Sequence, residues 1–120
     1  MSNGYTIHEN LPGDAPAGSR VHKIMQYIAA NIEKDLGLRT VGQHFGLSPT
    51  TIERLFKRHL QRTYGQYVEV VRLQKAFELI TQHDTAIKTA MYDAGYKNRD
   101  TFNKAFKRKF GHSPSHFKTG

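Results

Sequence analysis

Apolar residues recur at spacings of three and four positions along most of the chain beyond residue 20. This spacing places them on one face of an α-helix, the face that folding buries. The first such stripe, from Val21 to Ile32, predicts a helix that ends near Asp35. Since no stretch alternates apolar and polar residues with a period of two, no β-strand is predicted and the fold class is all-α.

Turn and cap signals separate the next helices. Gly37 is expected to cap a short second helix, and Gly46 can adopt the positive φ of a tight turn. Ser48 and Pro49 predict the start of a third helix, over about 49–61, because serine caps free amides and proline suits the first helical position.

A longer amphipathic helix is predicted from the capping-box spacing of Thr63 and Gln66, and it runs to about His83. At 1.5 Å per residue this connector is about 28–30 Å long, close to the ~34 Å of one DNA turn. The later signals are Asp84 and Thr85 as the cap of a short helix over 86–94, a turn at Gly95, a helix over 98–110, and a last turn begun by Ser113 and Pro114.

An internal repeat with an offset of 50 residues relates two of these helices. Each copy consists of a short helix, a glycine turn and a longer helix, the outline of a helix-turn-helix. The turns differ by one residue, because Gly46 and Gly95 lie 49 positions apart. The offset aligns apolar with apolar and basic with basic residues: Ile52, Leu55, Phe56 and Leu60 with Phe102, Ala105, Phe106 and Phe110, and Arg54, Lys57 and Arg58 with Lys104, Lys107 and Arg108.

The net charge of +8 is concentrated in the helical part of the chain. Residues 1–19 contain Glu9 and Asp14, no lysine or arginine, and several glycines and prolines, so they are predicted to form a flexible leader. With the apolar stripes buried, both longer helices of the repeat present basic outer faces. A major groove admits such a helix, where arginine pairs with guanine and asparagine with adenine while flanking cations meet phosphates. Double-stranded DNA is therefore the predicted partner.

Other classes of protein fit the sequence less well. The chain has no cysteine, and His112 with His116 does not supply the four ligands of a closed zinc site, so neither a metal nor another cofactor is predicted. Ser48 and Ser113 are interpreted as helix caps, and no paired carboxylates or phosphate loop indicate an enzyme. A membrane-surface module would not explain two matched turns, and RNA binding more often uses an aromatic strand platform.

Both copies of the repeat match a known family. The first contains Leu38-Arg-Thr-Val-Gly-Gln-His-Phe-Gly-Leu-Ser-Pro, followed by Leu55-Phe-Lys and Gly65-Gln-Tyr. The second contains Ala94-Gly-Tyr and Phe102-Asn-Lys-Ala-Phe-Lys-Arg-Lys-Phe-Gly-His-Ser-Pro, followed by Phe117. Over residues 20–118 the chain resembles the DNA-binding region of the AraC/XylS family, and in size it is similar to the stand-alone MarA/SoxS/Rob type.

The resemblance implies two helix-turn-helix subdomains joined by a long central helix. The expected division is a flexible leader over 1–19, a first subdomain over 20–63, a linker helix over 64–83 and a second subdomain over 84–120. It also implies a cytoplasmic transcription activator at the bacterial nucleoid that recruits RNA polymerase, and the connector length indicates a monomer on DNA. The DNA-binding portion of a longer ligand-responsive regulator, a repressor and an architectural protein are the alternatives.

Carried over by position, the resemblance assigns base reading to Thr50, Glu53 and Arg54 in the first helix and to Arg99, Asp100, Asn103 and Lys104 in the second. Phosphate contacts are expected from Ser48, Lys57, Arg58, Arg62, Lys97, Lys107 and Arg108. Glu53 and Asp100 have two open interpretations: they accept from cytosine, or they orient neighbouring arginines or repel wrong sites. Looser packing is expected where the chain departs from the family, at Gly42, Ala90 and Met91.

Overall fold

A computed structural model of the protein describes residues 15–118. These residues form seven helices and no strand, which confirms the predicted all-α class. Most of the predicted leader, residues 1–14, lies outside this range, as do residues 119–120. The helices are α1 (Arg20–Ala30), α2 (Leu38–Phe45), α3 (Pro49–Leu60), α4 (Tyr64–Gln82), α5 (Ile87–Asp93), α6 (Arg99–Phe110) and α7 (Pro114–Phe117).

A first hydrophobic core lies between α1, α2, α3 and the first half of α4. The helix α1 ends at Ala30 and not near Asp35, as the apolar stripe had predicted. The cause is Asn31, whose side-chain Nδ2 donates to the carbonyl oxygen of Tyr27 at 2.9 Å and so terminates the helix. Ile32 still reaches the core from the turn that follows, and this is why the stripe is longer than the helix.

The predicted turn and cap between α2 and α3 are confirmed. Gly46 ends α2 with a φ of 68°, in the left-handed region that favours glycine. Ser48 caps α3, because its Oγ accepts from the Thr51 N–H at 3.2 Å, and Pro49 is the first helical residue. The start of α3 is therefore set by local chemistry.

Gly37 precedes α2 as predicted, but it has no side chain with which to cap the helix. Its own N–H donates to Asp35 Oδ1 at 2.9 Å, and Thr40 Oγ1 donates to the other oxygen of that carboxylate at 3.1 Å. These two hydrogen bonds, the one from Gly37 first, hold the pKa of Asp35 below its ordinary value. The carboxylate thus organises the entry into α2.

The connector α4 begins with the predicted capping box. Thr63 Oγ1 accepts from the Gln66 N–H at 3.1 Å, and Gln66 Oε1 accepts from the Thr63 N–H at 2.9 Å. Eight of its buried residues divide into two sets, with Tyr64, Tyr67, Val68 and Val71 in the first core and Leu73, Ala76, Phe77 and Ile80 in a second. One helix of 19 residues, about 28 Å long, therefore joins two separate cores.

The second core lies between α4, α5, α6 and α7 and is rich in phenylalanine. The rings of Phe102 and Phe106 are fully buried, and Phe106 lies 4.6 Å from Phe110 between ring centroids. As predicted, Ser113 and Pro114 begin a last short element, α7. It packs Phe117 against the rings of the core.

The interpretation of Asp84 and Thr85 as a helix cap is wrong. The helix α5 begins one residue later than predicted, after Ala86, and no side chain caps it. Asp84 has a φ of 50°, and both its carboxylate Oδ1 and its carbonyl oxygen accept from Lys118 Nζ at 2.8 Å. The acidic side chain therefore ties the end of α7 to the loop after α4.

The expectation of looser packing is wrong at Gly42. This residue is buried in α2, and a Cβ placed on it would overlap the carbonyl oxygen of Leu47. The Leu47 N–H donates to the Gly42 carbonyl oxygen at 2.9 Å, so the turn passes directly over the helix. In the second core, Ala90 and Met91 are both buried.

Gly42→Ala is expected to lower the free energy of unfolding by about 1–3 kcal/mol, because the methyl group must displace backbone. Gly65→Ala is the matched control, since a Cβ on this exposed helical residue meets nothing within 4 Å. That substitution should stabilise the protein by up to about 1 kcal/mol. Urea denaturation measures the free energy of unfolding of both variants. Equal effects of the two substitutions would show that the Leu47 carbonyl oxygen leaves room for a side chain at Gly42.

Candidate nucleic-acid interface

The helices α3 and α6 are the equivalent helices of the two repeat copies, and their bounds differ by the predicted 50 residues. Each buries one apolar face and begins at a side-chain cap, Ser48 for α3 and Asn98 for α6. The buried residues are Ile52, Phe56 and Leu60 in α3 and Phe102, Ala105, Phe106 and Phe110 in α6. The opposite faces of both helices are therefore left to solvent at matching positions.

Most side chains predicted to read bases lie on these open faces. Arg54 and Lys104, which the repeat aligns, are both exposed, so each helix presents a cation at the same place. Glu53 and Asn103, also aligned, are half-buried at the edge of the faces. The exposed positions are Thr50, Arg54, Arg99, Asp100 and Lys104.

Glu53 has an intramolecular partner that neither interpretation of this residue included. Its Oε1 accepts from the backbone N–H of Tyr64 at 3.0 Å. Tyr64 is the first residue of α4, and the free N–H groups of a helix N-terminus favour a negative charge. The carboxylate therefore links α3 to the connector.

Tyr64 is also fixed at its other end, because its hydroxyl donates to the carbonyl oxygen of Leu36 at 2.7 Å. Burial raises the pKa of this phenol well above its ordinary value. The side chain thus stays neutral and remains a hydrogen-bond donor. Together with Glu53, it holds the start of α4 against the first core.

The predicted phosphate-contacting residues divide by exposure and by partner. Lys57, Arg58, Lys97, Lys107 and Arg108 are exposed and Arg62 is half-buried. Ser48 Oγ is already engaged as the cap of α3, where it also lies 2.9 Å from Thr51 Oγ1. The cap uses Oγ as an acceptor, so the Ser48 hydroxyl can still donate its hydrogen to a phosphate.

Arg108 forms an ion pair with a residue of the connector, since its Nη2 lies 3.2 Å from Glu69 Oε2. The two side chains are 67% and 42% exposed. Exposed pairs of this kind contribute little, about 0–1 kcal/mol. Arg108 can therefore exchange Glu69 for a phosphate at small cost.

Lys109 is a cation that the predicted site left out. Its Nζ lies 5.6 Å from the centroid of the Phe110 ring, and the residue is half-buried. Burial lowers the pKa of Lys109, and the nearby positive charge of Arg62 lowers it further. Glu69 and Arg72 were missed as well, although charged residues on a connector that is buried along about half of its length are a signal that could have found them.

A groove of about 430 Å³ runs beside α6. It brings together four of the predicted DNA-contacting residues of the second helix: Arg99, Asn103, Lys104 and Lys107. Ile87, Phe102 and Pro114 supply apolar parts of its wall. The groove therefore combines cations and an amide with apolar surface, as base edges and sugars require.

No helix within residues 15–118 has the length and apolar character needed to cross a membrane. In the same part of the chain, no three histidine, aspartate or glutamate side chains are grouped as metal ligands would be. The rings of His112 and His116 stack with centroids 3.9 Å apart.

Comparison with known proteins agrees with this architecture. A family model described as a helix-turn-helix domain matches residues 41–120. The arabinose operon regulatory protein of Escherichia coli K12 is 30% identical over 115 residues, covering 95% of this chain and 39% of that protein. The transcriptional activator RhaS of Escherichia fergusonii is 26% identical over 110 residues, covering 92% of this chain and 40% of that protein.

Solved structures resemble the fold closely. The C-terminal domain of AraT, a response regulator from Geobacillus stearothermophilus, superposes with a TM-score of 0.80 at 27% identity and covers 87% of each chain. The DNA-binding domain of AdpA, solved in complex with a target DNA, has a TM-score of 0.77 at 16% identity, over 83% of this chain and 90% of that one. The latter likeness is one of fold alone.

The two helix-turn-helix copies on one connector define a tandem helix-turn-helix DNA-binding domain. The chain belongs to the AraC/XylS family of transcription regulators. It spans about 40% of the length of the curated relatives it matches.

Proposed function

We propose that the chain is a sequence-specific transcription regulator that inserts α3 and α6 into successive major grooves of one duplex. The observation that carries this proposal is the matched pair of exposed cations, Arg54 and Lys104, on equivalent helices with buried apolar backs. The connector, about 28 Å long, is comparable to the ~34 Å of one DNA turn. One chain would therefore bind as a monomer.

The two helices would read unlike half-sites, because their outward residues differ. The offset of 50 pairs Pro49 with Arg99, Thr50 with Asp100, Glu53 with Asn103, and Arg54 with Lys104. Arginine and lysine favour guanine, whereas asparagine favours adenine. The target is therefore expected to lack two-fold symmetry.

The regulator is proposed to activate transcription through contact with RNA polymerase, in the cytoplasm at the nucleoid. The name of the RhaS relative, a transcriptional activator, supports this direction. A second candidate function is that of the DNA-binding part of a longer, ligand-responsive protein. The observation behind it is the coverage, since the chain spans about 40% of the length of the curated relatives it matches.

Arg54→Ala should weaken binding to the preferred duplex by about 1–3 kcal/mol and relax the base preference at one position, because the lost contact is to a base edge. The preferred duplex is first selected from a randomised pool, and affinities are then measured for it and its single-base variants. Lys57→Ala is the matched control on the same helix. It should weaken all duplexes alike, because its contact is to phosphate.

Uniform weakening by Arg54→Ala across all single-base variants would remove the base-reading role of Arg54. If the selection yields no preferred duplex at all, the proposed sequence-specific function itself is wrong. A single palindromic site occupied only by two copies would contradict the tandem arrangement.

A further inference from the structure

Arg72 lies on the connector between the segment that packs in the first core and the segment that packs in the second. Val71 packs in the first core and Leu73 in the second, so Arg72 is placed between them. The residue is half-buried, although it carries a charge. Such a position calls for a specific partner, because burying a charge without one is costly.

The partners of Arg72 are backbone carbonyls on both sides of the connector. Its Nη2 donates to the carbonyl oxygen of Lys34, in the turn between α1 and α2, at 3.2 Å. Its Nη1 donates to the carbonyl oxygen of Ala94, which ends α5, at 3.4 Å. One guanidinium therefore bridges the first lobe to the second, where each lobe is defined by its own core.

Gly95 shows how closely the lobes approach at this bridge. Its φ of 94° lies in the left-handed region, and a Cβ on it would overlap both Arg72 Nη1 and the carbonyl oxygen of Ile32. The turn that precedes α6 therefore touches the backbone of the first lobe directly. Only a residue without a side chain permits this contact.

The electrostatic surroundings support a charged bridge. Burial lowers the pKa of Arg72, whereas the carboxylate of Asp35 favours its charged form. An arginine remains protonated under all ordinary conditions, and its planar fork suits two acceptors at once. A lysine in its place has a single nitrogen and could not hold both carbonyl oxygens in the same way.

We propose that Arg72 is a positioning residue that fixes the orientation of α6 relative to α3, and thereby the number of base pairs between the two half-sites. This inference rests on the proposed two-groove DNA binding. The inference adds to that function a residue that does not contact DNA but sets the number of base pairs between the half-sites. Gly95 has the complementary role of allowing the close approach.

The first test measures the geometry without DNA. The chain has no cysteine, so spin labels can be placed at Gln26→Cys on α1 and Thr89→Cys on α5, both exposed. The distance distribution should be narrow in the parent protein and in the control Lys75→Ala, an exposed residue of α4. Arg72→Ala should broaden it, and Arg72→Lys provides a second variant should the alanine variant not fold. An unchanged distribution in a folded Arg72 variant would overturn the proposal.

The second test uses duplexes whose half-sites are separated by one or two base pairs more or fewer than in the preferred site. The parent and Lys75→Ala should favour one spacing, because two linked sites bind together only when the geometry matches. Arg72→Ala should lose about tenfold in affinity at that spacing and little at the others, since a loose joint no longer selects one separation.

An equal loss at every spacing would overturn the positioning role, as would an unchanged profile. If the parent shows no preferred spacing at all, the two-groove function fails, and the distance measurement then decides the role of Arg72 in the protein alone.

Discussion

Replacing Phe106 by alanine is expected to lower the free energy of unfolding by about 3–5 kcal/mol, the range for a buried phenylalanine. The residue is 0% exposed and lies at the centre of the second core. Its ring has four aromatic neighbours, Phe77, Phe102, Phe110 and Phe117, with centroids 4.6 to 6.3 Å away. Since the second core is small, few other residues can relax into the cavity.

Urea denaturation followed by circular dichroism gives the size of this effect. Tyr92→Ala is the matched control in the same lobe, because that ring is 48% exposed. Its effect should stay within about 0.5 kcal/mol. A loss of less than about 1.5 kcal/mol for Phe106→Ala would contradict a well-packed aromatic core beneath α6.

A second large effect is expected from salt. Six predicted phosphate-contacting residues are cationic: Lys57, Arg58, Arg62, Lys97, Lys107 and Arg108. If each releases a counterion, the logarithm of the association constant should fall with the logarithm of salt concentration with a slope of about −5. Affinity should then drop about a thousandfold between 50 and 200 mM salt.

Fluorescence anisotropy titrations at several salt concentrations measure the slope. Lys107→Ala should reduce its magnitude by about one, because one phosphate contact is lost. Lys75→Ala, on the connector, should leave it unchanged. A slope shallower than about −2 would mean that most of these cations do not meet phosphates.

Much of the fold could be predicted because its signals are local. The cap at Ser48, the capping box of Thr63 and Gln66, and the positive φ of Gly46 each depend on a few consecutive residues. The equivalence of α3 and α6 could be predicted because apolar and basic positions repeat together at one offset.

The errors in the predicted fold have three different physical causes. At Asn31 a side chain competes with the helix backbone, while Ile32 maintains the apolar stripe beyond the helix end. Asp84 is a residue type that often caps helices, but its carbonyl oxygen and Oδ1 accept hydrogen bonds from Lys118, 34 residues away. Gly42 is required by a neighbouring turn that periodicity does not reveal.

The exposed positions of the candidate site could be predicted from the sequence, but the hydrogen bonds that join its helices could not. Helical geometry alone places Arg54 and Lys104 opposite buried faces. The hydrogen bond from Tyr64 to Glu53 and the bridge made by Arg72 span 11 to 38 residues of sequence. Contacts between residues so far apart in the sequence depend on how the helices pack, so the sequence pattern does not predict them.

The central claim is that one chain reads two unlike half-sites with two equivalent helices. Hydroxyl-radical footprinting on the selected duplex tests it most directly, with the parent protein, Arg54→Ala and Lys104→Ala. Two protected segments should appear on one face of the DNA, centred about one helical turn apart, with each variant weakening a different segment. A single protected segment, or two symmetric segments that both variants weaken equally, would contradict it.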